Sequence, residues 1–256
     1  MFITSHLDYL ALLFLRMASL LFVSQLFGRN NIPVVTKVGL SIMLTYIAYL
    51  WAPPVALTYQ TIWGFAGLCI GEALIGVVLG IVTNTVFTLT YTAGYIIDMQ
   101  LGFSMVNIYD PLSNTQIPIM GNALNLLLVL LFFQVNGHLR LMQMLINSVV
   151  RLPVGQVHFS PALTGIFIEL FCQSIVLAIN VAMPVLAASL VIEIAMGVII
   201  RTAPQMNMFV VGIPLKLLVG LMIVVVTIPV FGKFSEEIIT VMFRYMDSFF
   251  ASMLPA

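Results

Sequence analysis

The chain has 256 residues, 62 % of them hydrophobic and 7 % charged, with nine basic and nine acidic side chains and a net charge of zero. Its mean hydropathy is +1.16. A soluble domain carries about a quarter charged residues, so the composition excludes a water-covered globule, and the charge balance gives no handle for nucleic acid or acidic ligands. At this length the sequence reads as one membrane domain over 1–256.

The apolar runs, in order, are Tyr9–Phe27, Val34–Ala52, Ile62–Val82 continuing towards Ile97, Ile119–Val135, Leu163–Ile200, Phe209–Phe231 and Ile238–Leu254. A spanning helix needs about 20 such residues. The first run has no basic start and carries Arg16 in its middle, so it reads as a retained segment and not as a secretory signal. No proline occurs from Ile62 to Met105. As one helix that stretch would reach about 65 Å at a rise of about 1.5 Å per residue, so it either breaks near Gly94 or projects beyond the membrane. Within it, Gly67–Gly71 and Gly76–Gly80 form small-xxx-small pairs that let helices approach closely, inside the chain or against another subunit. The hydroxyls of Thr83, Thr85, Thr88, Thr90 and Thr92 suit other helices or a wet wall better than lipid.

Leu163–Ile200 is too long for one span and too short for two, and Pro184 marks a broken or kinked pair. Arg201–Lys216, RTAPQMNMFVVGIPLK, places Pro204, Gln205, Asn207 and Pro214 between strongly apolar runs. Each proline lacks a backbone donor and pushes its predecessor out of helical geometry. Non-helical backbone at membrane depth must be covered by protein or line a cavity, so this segment predicts an interrupted helix shielded by neighbours. Loop charges do not give a consistent orientation. If Arg29 and Lys37 face the cytoplasm, the acidic Asp98–Pro118 loop does too, while Arg140 and Arg151 fall outside, against the positive-inside rule. Either the span count is wrong or partner subunits surround the helices.

No phosphate-binding loop, zinc-binding helix or nucleophile elbow is present. Cys69 and Cys172 lie in apolar runs and make no disulfide framework or metal site; His6, His138 and His158 lack partners at ligand spacing. Asp98 and Asp110 stand twelve apart with no flanking motif for acid–base work. Catalytic residues, metals and cofactors are therefore expected to be absent. The charges Arg16, Lys37, Glu72, Glu169, Glu193, Lys216 and Arg244 lie in or at the ends of apolar runs, where they must pair or be wet. Pairing is the favoured reading; the alternative makes Glu72, Glu169 and Glu193 proton or cation sites of a transporter. Met105–Gly121 is a polar island whose Asp110–Pro111 and Ser113–Asn114 mark turns. It is either an exposed loop or one that folds back among the helices.

Three segments carry a family resemblance: Asp110–Pro111 with Pro118, Val135–Leu139 (VNGHL), and, most specifically, Ala203–Lys216 (APQMNMFVVGIPLK). They resemble the FliR family, which includes the T-type export-gate subunits of virulence type III secretion, and length and run order agree over the whole chain. NGHL and APQMN favour the flagellar branch over the virulence branch. The resemblance implies an all-α polytopic membrane protein with broken helices and helical hairpins, packed like a FliP and a FliQ fused in sequence. It implies a structural, non-enzymatic subunit that assembles with FliP and FliQ, with FlhB at the cytoplasmic side. The assembly would be a gated conduit for unfolded flagellar substrates in the bacterial inner membrane, at the flagellar basal body, in contact with lipid and with no nucleic acid. Much of such an assembly stands above the membrane plane, which would account for the failed loop-charge topology.

The same resemblance implies plug or constriction roles for Met105, Asn107, Ile108, Tyr109, Asp110, Pro111 and Pro118. It implies a subunit-packing motif of Arg201, Pro204, Gln205, Asn207, Phe209, Gly212, Pro214 and Lys216. A stand-alone secondary transporter broken at Pro184, Pro204 and Pro214 would show an internal repeat, and APQMN has no counterpart in the first half. An intramembrane hydrolase has no motif to support it.

Overall fold

A computed structural model of the chain describes residues 2–28, 32–52, 57, 59, 61–103, 118–157, 159–202 and 208–254, with only the backbone described for 2–5, 208–211 and 213. The described residues form seven helices and no strand: α1 Phe2–Val23, α2 Val34–Trp51, α3 Ile62–Leu101, α4 Ile119–Gln134, α5 Gly137–Arg151, α6 Ala162–Thr202 and α7 Met208–Met253. Five of them are long and apolar enough to cross a membrane, or six spans if the bent pair α4–α5 counts as one. The protein is an all-α, multi-pass membrane protein.

α3 runs unbroken for 40 residues, with no break at Gly94. Two expectations from proline are corrected. Pro184 does not divide Leu163–Ile200, because α6 is continuous over 41 residues. Pro214 does not interrupt the chain either; it lies inside α7, which also contains Pro229 and joins the two last apolar runs into one helix of 46 residues. A proline removes one backbone bond, but unwinding a whole turn in an apolar setting would orphan several more. α6 ends at Thr202 and α7 begins at Met208, and 203–207 lie outside the described residues.

The contacts of the chain cluster into two units. The first comprises 1–86, 132–171 and 239–256; the second comprises 87–131 and 172–238. In the first unit, Leu12, Leu13, Met17, Leu20 and Leu21 of α1 are fully buried with Ile75 and Val82 of α3, Leu141 and Leu145 of α5, and Phe243 and Phe249 of α7. Helix α2 inverts the soluble pattern. It buries Lys37, Ser41 and Thr45 with Leu44 and Ala48, and exposes Val35, Ile42, Met43, Tyr46, Leu50 and Trp51. Its hydroxyls satisfy themselves: Ser41 Oγ donates to the Lys37 carbonyl and Thr45 Oγ1 to the Ser41 carbonyl, four residues back. Lys37 Nζ donates to the Gly28 carbonyl at 3.0 Å.

Helix α5 is amphipathic and begins after Asn136, which adopts the left-handed conformation at φ 56°. Leu141, Leu145 and Val149 face inward, while Arg140, Gln143 and Arg151 face out. In the second unit, Ile97, Leu101, Ala182 and Val185 form a buried cluster, with Phe103, Met120, Leu124 and Ile223 packed against it. Pro184 lines a small apolar cleft with Ile97, Met120, Val224 and Phe231. The most apolar stretch of α7 is only 11 % buried, against 39 % for α3. So much unpartnered apolar surface needs lipid or other protein to cover it.

Candidate functional site

In the first unit the intramembrane charges converge. Arg16 of α1 and Glu72 of α3 form an ion pair of 2.6 Å between side chains with no solvent exposure. The Arg16 guanidinium reaches further: Nη1 donates to the carbonyls of Ser148 at 3.1 Å and Leu152 at 3.0 Å. Those carbonyls belong to the end of α5, where helical acceptors lack intrahelical donors and the dipole is negative, so a cation fits there. The second carboxylate oxygen of Glu72 accepts the Gly155 N–H at 2.9 Å. Gly155 lies at φ +84°, a turn conformation that side chains resist. One pair thus ties α1 and α3 to the end of α5 and the turn behind it.

The outer charges of this unit are of a different kind. Arg151 meets Asp247 at 2.7 Å with both side chains half exposed, an arrangement worth about 0–1 kcal/mol. Arg140 lies over the Phe243 ring at 4.3 Å, and these residues line an open polar cleft with Gln143 and Asn147. Outside the spans, the hydrogen bond from the Tyr59 hydroxyl to Asp8 holds the Tyr59 phenol above its ordinary pKa.

In the second unit, Lys216 of α7 pairs with Glu193 of α6 at 2.5 Å, and Gln100 Nε2 donates to the same carboxylate at 3.3 Å. Glu193 is 46 % exposed, amid exposed Leu190, Val191 and Ile194. Glu169 is exposed on α6 and has no ion-pair partner among the described residues. Asn125, 1 % exposed, uses both of its N–H donors and its oxygen: it donates to the Phe87 carbonyl and Thr90 Oγ1, and accepts from the Tyr91 hydroxyl. Asp98 belongs to the last turn of α3 and not to the loop after it; its carboxylate accepts the Met120 N–H at 3.2 Å on each oxygen.

The two glycine pairs separate. A Cβ at Gly76 would stand 2.4 Å from the Arg16 carbonyl and one at Gly80 2.7 Å from Val23, so this pair seats α3 on α1. Nothing lies within 4 Å of such an atom at Gly67 or Gly71 among the described residues. Of the expected loop residues, Met105, Asn107, Ile108, Tyr109, Asp110 and Pro111 lie outside the described residues. Pro118 is described: its carbonyl accepts the Asn122 N–H at 2.9 Å, starting α4. Of the 201–216 motif, Pro204, Gln205 and Asn207 lie outside the described residues, as does the Phe209 side chain. Arg201 is exposed at the end of α6, Gly212 is buried in α7, and Pro214 is exposed. Sequence reasoning weighed Asp98 only as one of a carboxylate pair with Asp110 and as the start of a loop, without its Met120 partner, and it named Arg16 and Glu72 without joining them.

The family described as bacterial export proteins, family 1, matches residues 7–242. The flagellar biosynthetic protein FliR of Pectobacterium carotovorum subsp. carotovorum is 31 % identical over 235 residues, covering 90 % of this chain and 88 % of that one. FliR of Bacillus subtilis (strain 168) is 30 % identical over 224 residues, covering 86 % and 85 %. Yop proteins translocation protein T of Yersinia pestis is 30 % identical over 176 residues, covering 67 % of each chain. The likeness to the flagellar proteins thus extends well beyond the part shared with the Yersinia protein. With its all-α multi-pass fold, this chain belongs to family 1 of the bacterial export proteins, the FliR family.

Proposed function

We propose that this protein is a structural, non-catalytic subunit of the flagellar type III protein export gate, built as a single membrane domain. It assembles with FliP and FliQ into a gated conduit for unfolded flagellar substrates in the bacterial inner membrane, at the basal body, with FlhB on the cytoplasmic side. The observation that carries the reading is the family match over residues 7–242, joined to flagellar relatives that cover about nine-tenths of the chain. The geometry supports partners. An ion pair on an apolar face, Glu193–Lys216, is unsuited to lipid, and the open glycine pair Gly67–Gly71 leaves room for a close helix neighbour. In this reading Arg201, Pro204, Gln205, Asn207, Phe209, Gly212, Pro214 and Lys216 form a subunit-packing segment. Met105, Asn107, Ile108, Tyr109, Asp110, Pro111 and Pro118 form a plug that helps close the resting pore.

Co-expression of a tagged chain with FliP and FliQ, followed by native mass spectrometry from mild detergent, tests the assembly. The expected result is a defined hetero-oligomer with one copy of this chain. A monodisperse chain that ignores both partners would overturn the proposal. The plug is tested separately by deleting Asn107–Ile117. The hetero-oligomer should still form, and its resting ion conductance should rise by at least about tenfold, as expected when an apolar constriction stops excluding water. Unchanged conductance removes the plug assignment and leaves the gate-subunit reading standing.

A further inference from the structure

We propose that Tyr46, Trp51, Tyr59 and Trp63 form an aromatic belt that holds one end of the first unit at a membrane–water interface, and that α3 leaves the opposite face of the bilayer after Ile81. The proposal rests on the multi-pass fold and is independent of the export-gate reading. The chain has two tryptophans. Trp51 ends α2 and Trp63 lies in the first turn of α3, and they are 66 % and 86 % exposed. Contacts bring three helix ends to this level. The Tyr59 hydroxyl donates to Asp8 of α1, and its ring meets that of Phe65 of α3 at 5.4 Å. Tyr49 of α2 meets Tyr9 of α1 at 6.3 Å between rings, and its hydroxyl lies 3.4 Å from His6 Nδ1. The start of α1, the end of α2 and the start of α3 therefore stand together, with Asp8 and His6 among the rings. Indole and phenol rings join an apolar body to a polar N–H or O–H, and they collect where hydrocarbon meets water.

Two helices measure the slab that this belt bounds. Towards the belt, the exposed side chains of α2 are Ile42, Met43, Tyr46, Leu50 and Trp51, while Lys37, Ser41 and Thr45 are buried. The whole helix, at 18 residues and about 1.5 Å each, is about 27 Å long, close to a hydrocarbon core of about 30 Å. On α3 every exposed residue from Ile62 to Ile81 is apolar or glycine. That stretch also measures about 30 Å. The charged residue within it, Glu72, is hidden and paired with Arg16, as an acid at membrane depth must be. The next exposed residues are Asn84, Thr88 and Thr92, so the outer face of α3 turns polar where the bilayer ends. Both helices give the same thickness from the same aromatic end. A protein neighbour would cover apolar residues without regard to bilayer thickness, whereas lipid imposes it. α3 then continues to Leu101, about 30 Å beyond the slab. A neighbouring helix on the open Gly67–Gly71 face would cross the same slab and leave this register unchanged.

The test reconstitutes the full chain, alone and assembled with FliP and FliQ, into phosphatidylethanolamine–phosphatidylglycerol vesicles. The vesicles are doped with phosphatidylcholine brominated either near the headgroup or near the chain end, and tryptophan quenching is read. In the assembly, the emission of this chain is the difference between complexes carrying the wild type and the double variant Trp51→Phe with Trp63→Phe. Trp51 and Trp63 should be quenched at least about twofold more by the shallow bromines than by the deep ones, as befits interfacial indoles. Two reporters placed in the double variant read the register. Ile42→Trp, near mid-bilayer on α2, should show the reverse order, and Tyr95→Trp, at an exposed position of α3, should respond to neither lipid. The native indoles carry the test of the belt if a reporter variant fails to fold. Stronger quenching of Trp51 and Trp63 by the deep bromines overturns the belt. So does quenching in the chain alone that vanishes in the assembly, which would show another subunit covering the rings. Quenching of Tyr95→Trp by either lipid overturns the register. If no hetero-oligomer forms, the export-gate reading fails separately and the chain alone decides the belt.

Discussion

Replacing Glu72 by leucine while Arg16 remains is expected to destabilise the protein by about 3–5 kcal/mol, the usual consequence of stranding one member of a buried ion pair. Both side chains are without solvent exposure, and the Arg16 Nη2 already lacks a partner among the described residues. Removing Glu72 leaves the guanidinium with the α5-terminal carbonyls and the Ser148 hydroxyl, and frees the Gly155 N–H. The double variant Arg16→Met with Glu72→Leu removes both charges and should be more stable than Glu72→Leu alone. It should not recover fully, because the Ser148 and Leu152 carbonyls lose a donor, at about 1–3 kcal/mol for a buried polar group left unmet. Glu72→Gln, which retains an acceptor for Gly155, should fall between the wild type and the leucine variant. Unfolding of the wild type, Arg16→Met, Glu72→Leu and the double variant in one detergent gives the coupling directly. Strictly additive single losses would mean the pair does not act as a unit.

How much of this was legible in the sequence depends on what each feature requires. The apolar runs placed the spans, because helix length against bilayer thickness is a composition signal. The stretch without proline allowed an unbroken α3 but left a break near Gly94 open, and the fold decides for continuity. The continuity of α6 and α7 did not, because Pro184, Pro214 and Pro229 look like breaks in a linear string. What decides is the cost of unwinding backbone where little water can replace the lost bonds, and residue identity does not display it. The equal count of acids and bases made pairing arithmetically simple but left the partners open. Arg16 finds Glu72 at a separation of 56 residues, and no local pattern encodes that choice. Asp98 was harder still, since its partner is a backbone N–H that any residue but proline at position 120 would offer. Gly67–Gly71 and Gly76–Gly80 are the same motif in sequence. Only the fold shows that one pair is filled by α1 and the other is open.

Another glycine of α3, Gly94, stands closer to neighbouring backbone than either pair. Gly94→Ala is expected to destabilise the protein by at least about 3 kcal/mol, the upper end of the range for overpacking. A Cβ at Gly94 would stand 2.0 Å from the Gly121 nitrogen and 2.1 Å from its Cα, so it meets backbone and not a side chain that can swing away. Relief therefore requires α3 and α4 to separate. The same separation pulls on the Asp98–Met120 bonds and on the Asn125 contacts with Phe87 and Thr90, which tie the two helices together within the second unit. Gly67→Ala is the matched comparison. It lies on the same helix with nothing within 4 Å among the described residues, and alanine there should be neutral or stabilising by up to about 1 kcal/mol from helix propensity. The two variants should diverge in the melting of the isolated chain in detergent. Equal melting would mean that α3 and α4 do not approach at Gly94 as described. In the hetero-oligomer the comparison gains a second meaning. If Gly67→Ala leaves the isolated chain intact but weakens assembly, the open glycine face is occupied by a neighbouring subunit. If it leaves both intact, the partner contacts lie elsewhere on the apolar surface, with the sparsely buried face of α7 the first place to look.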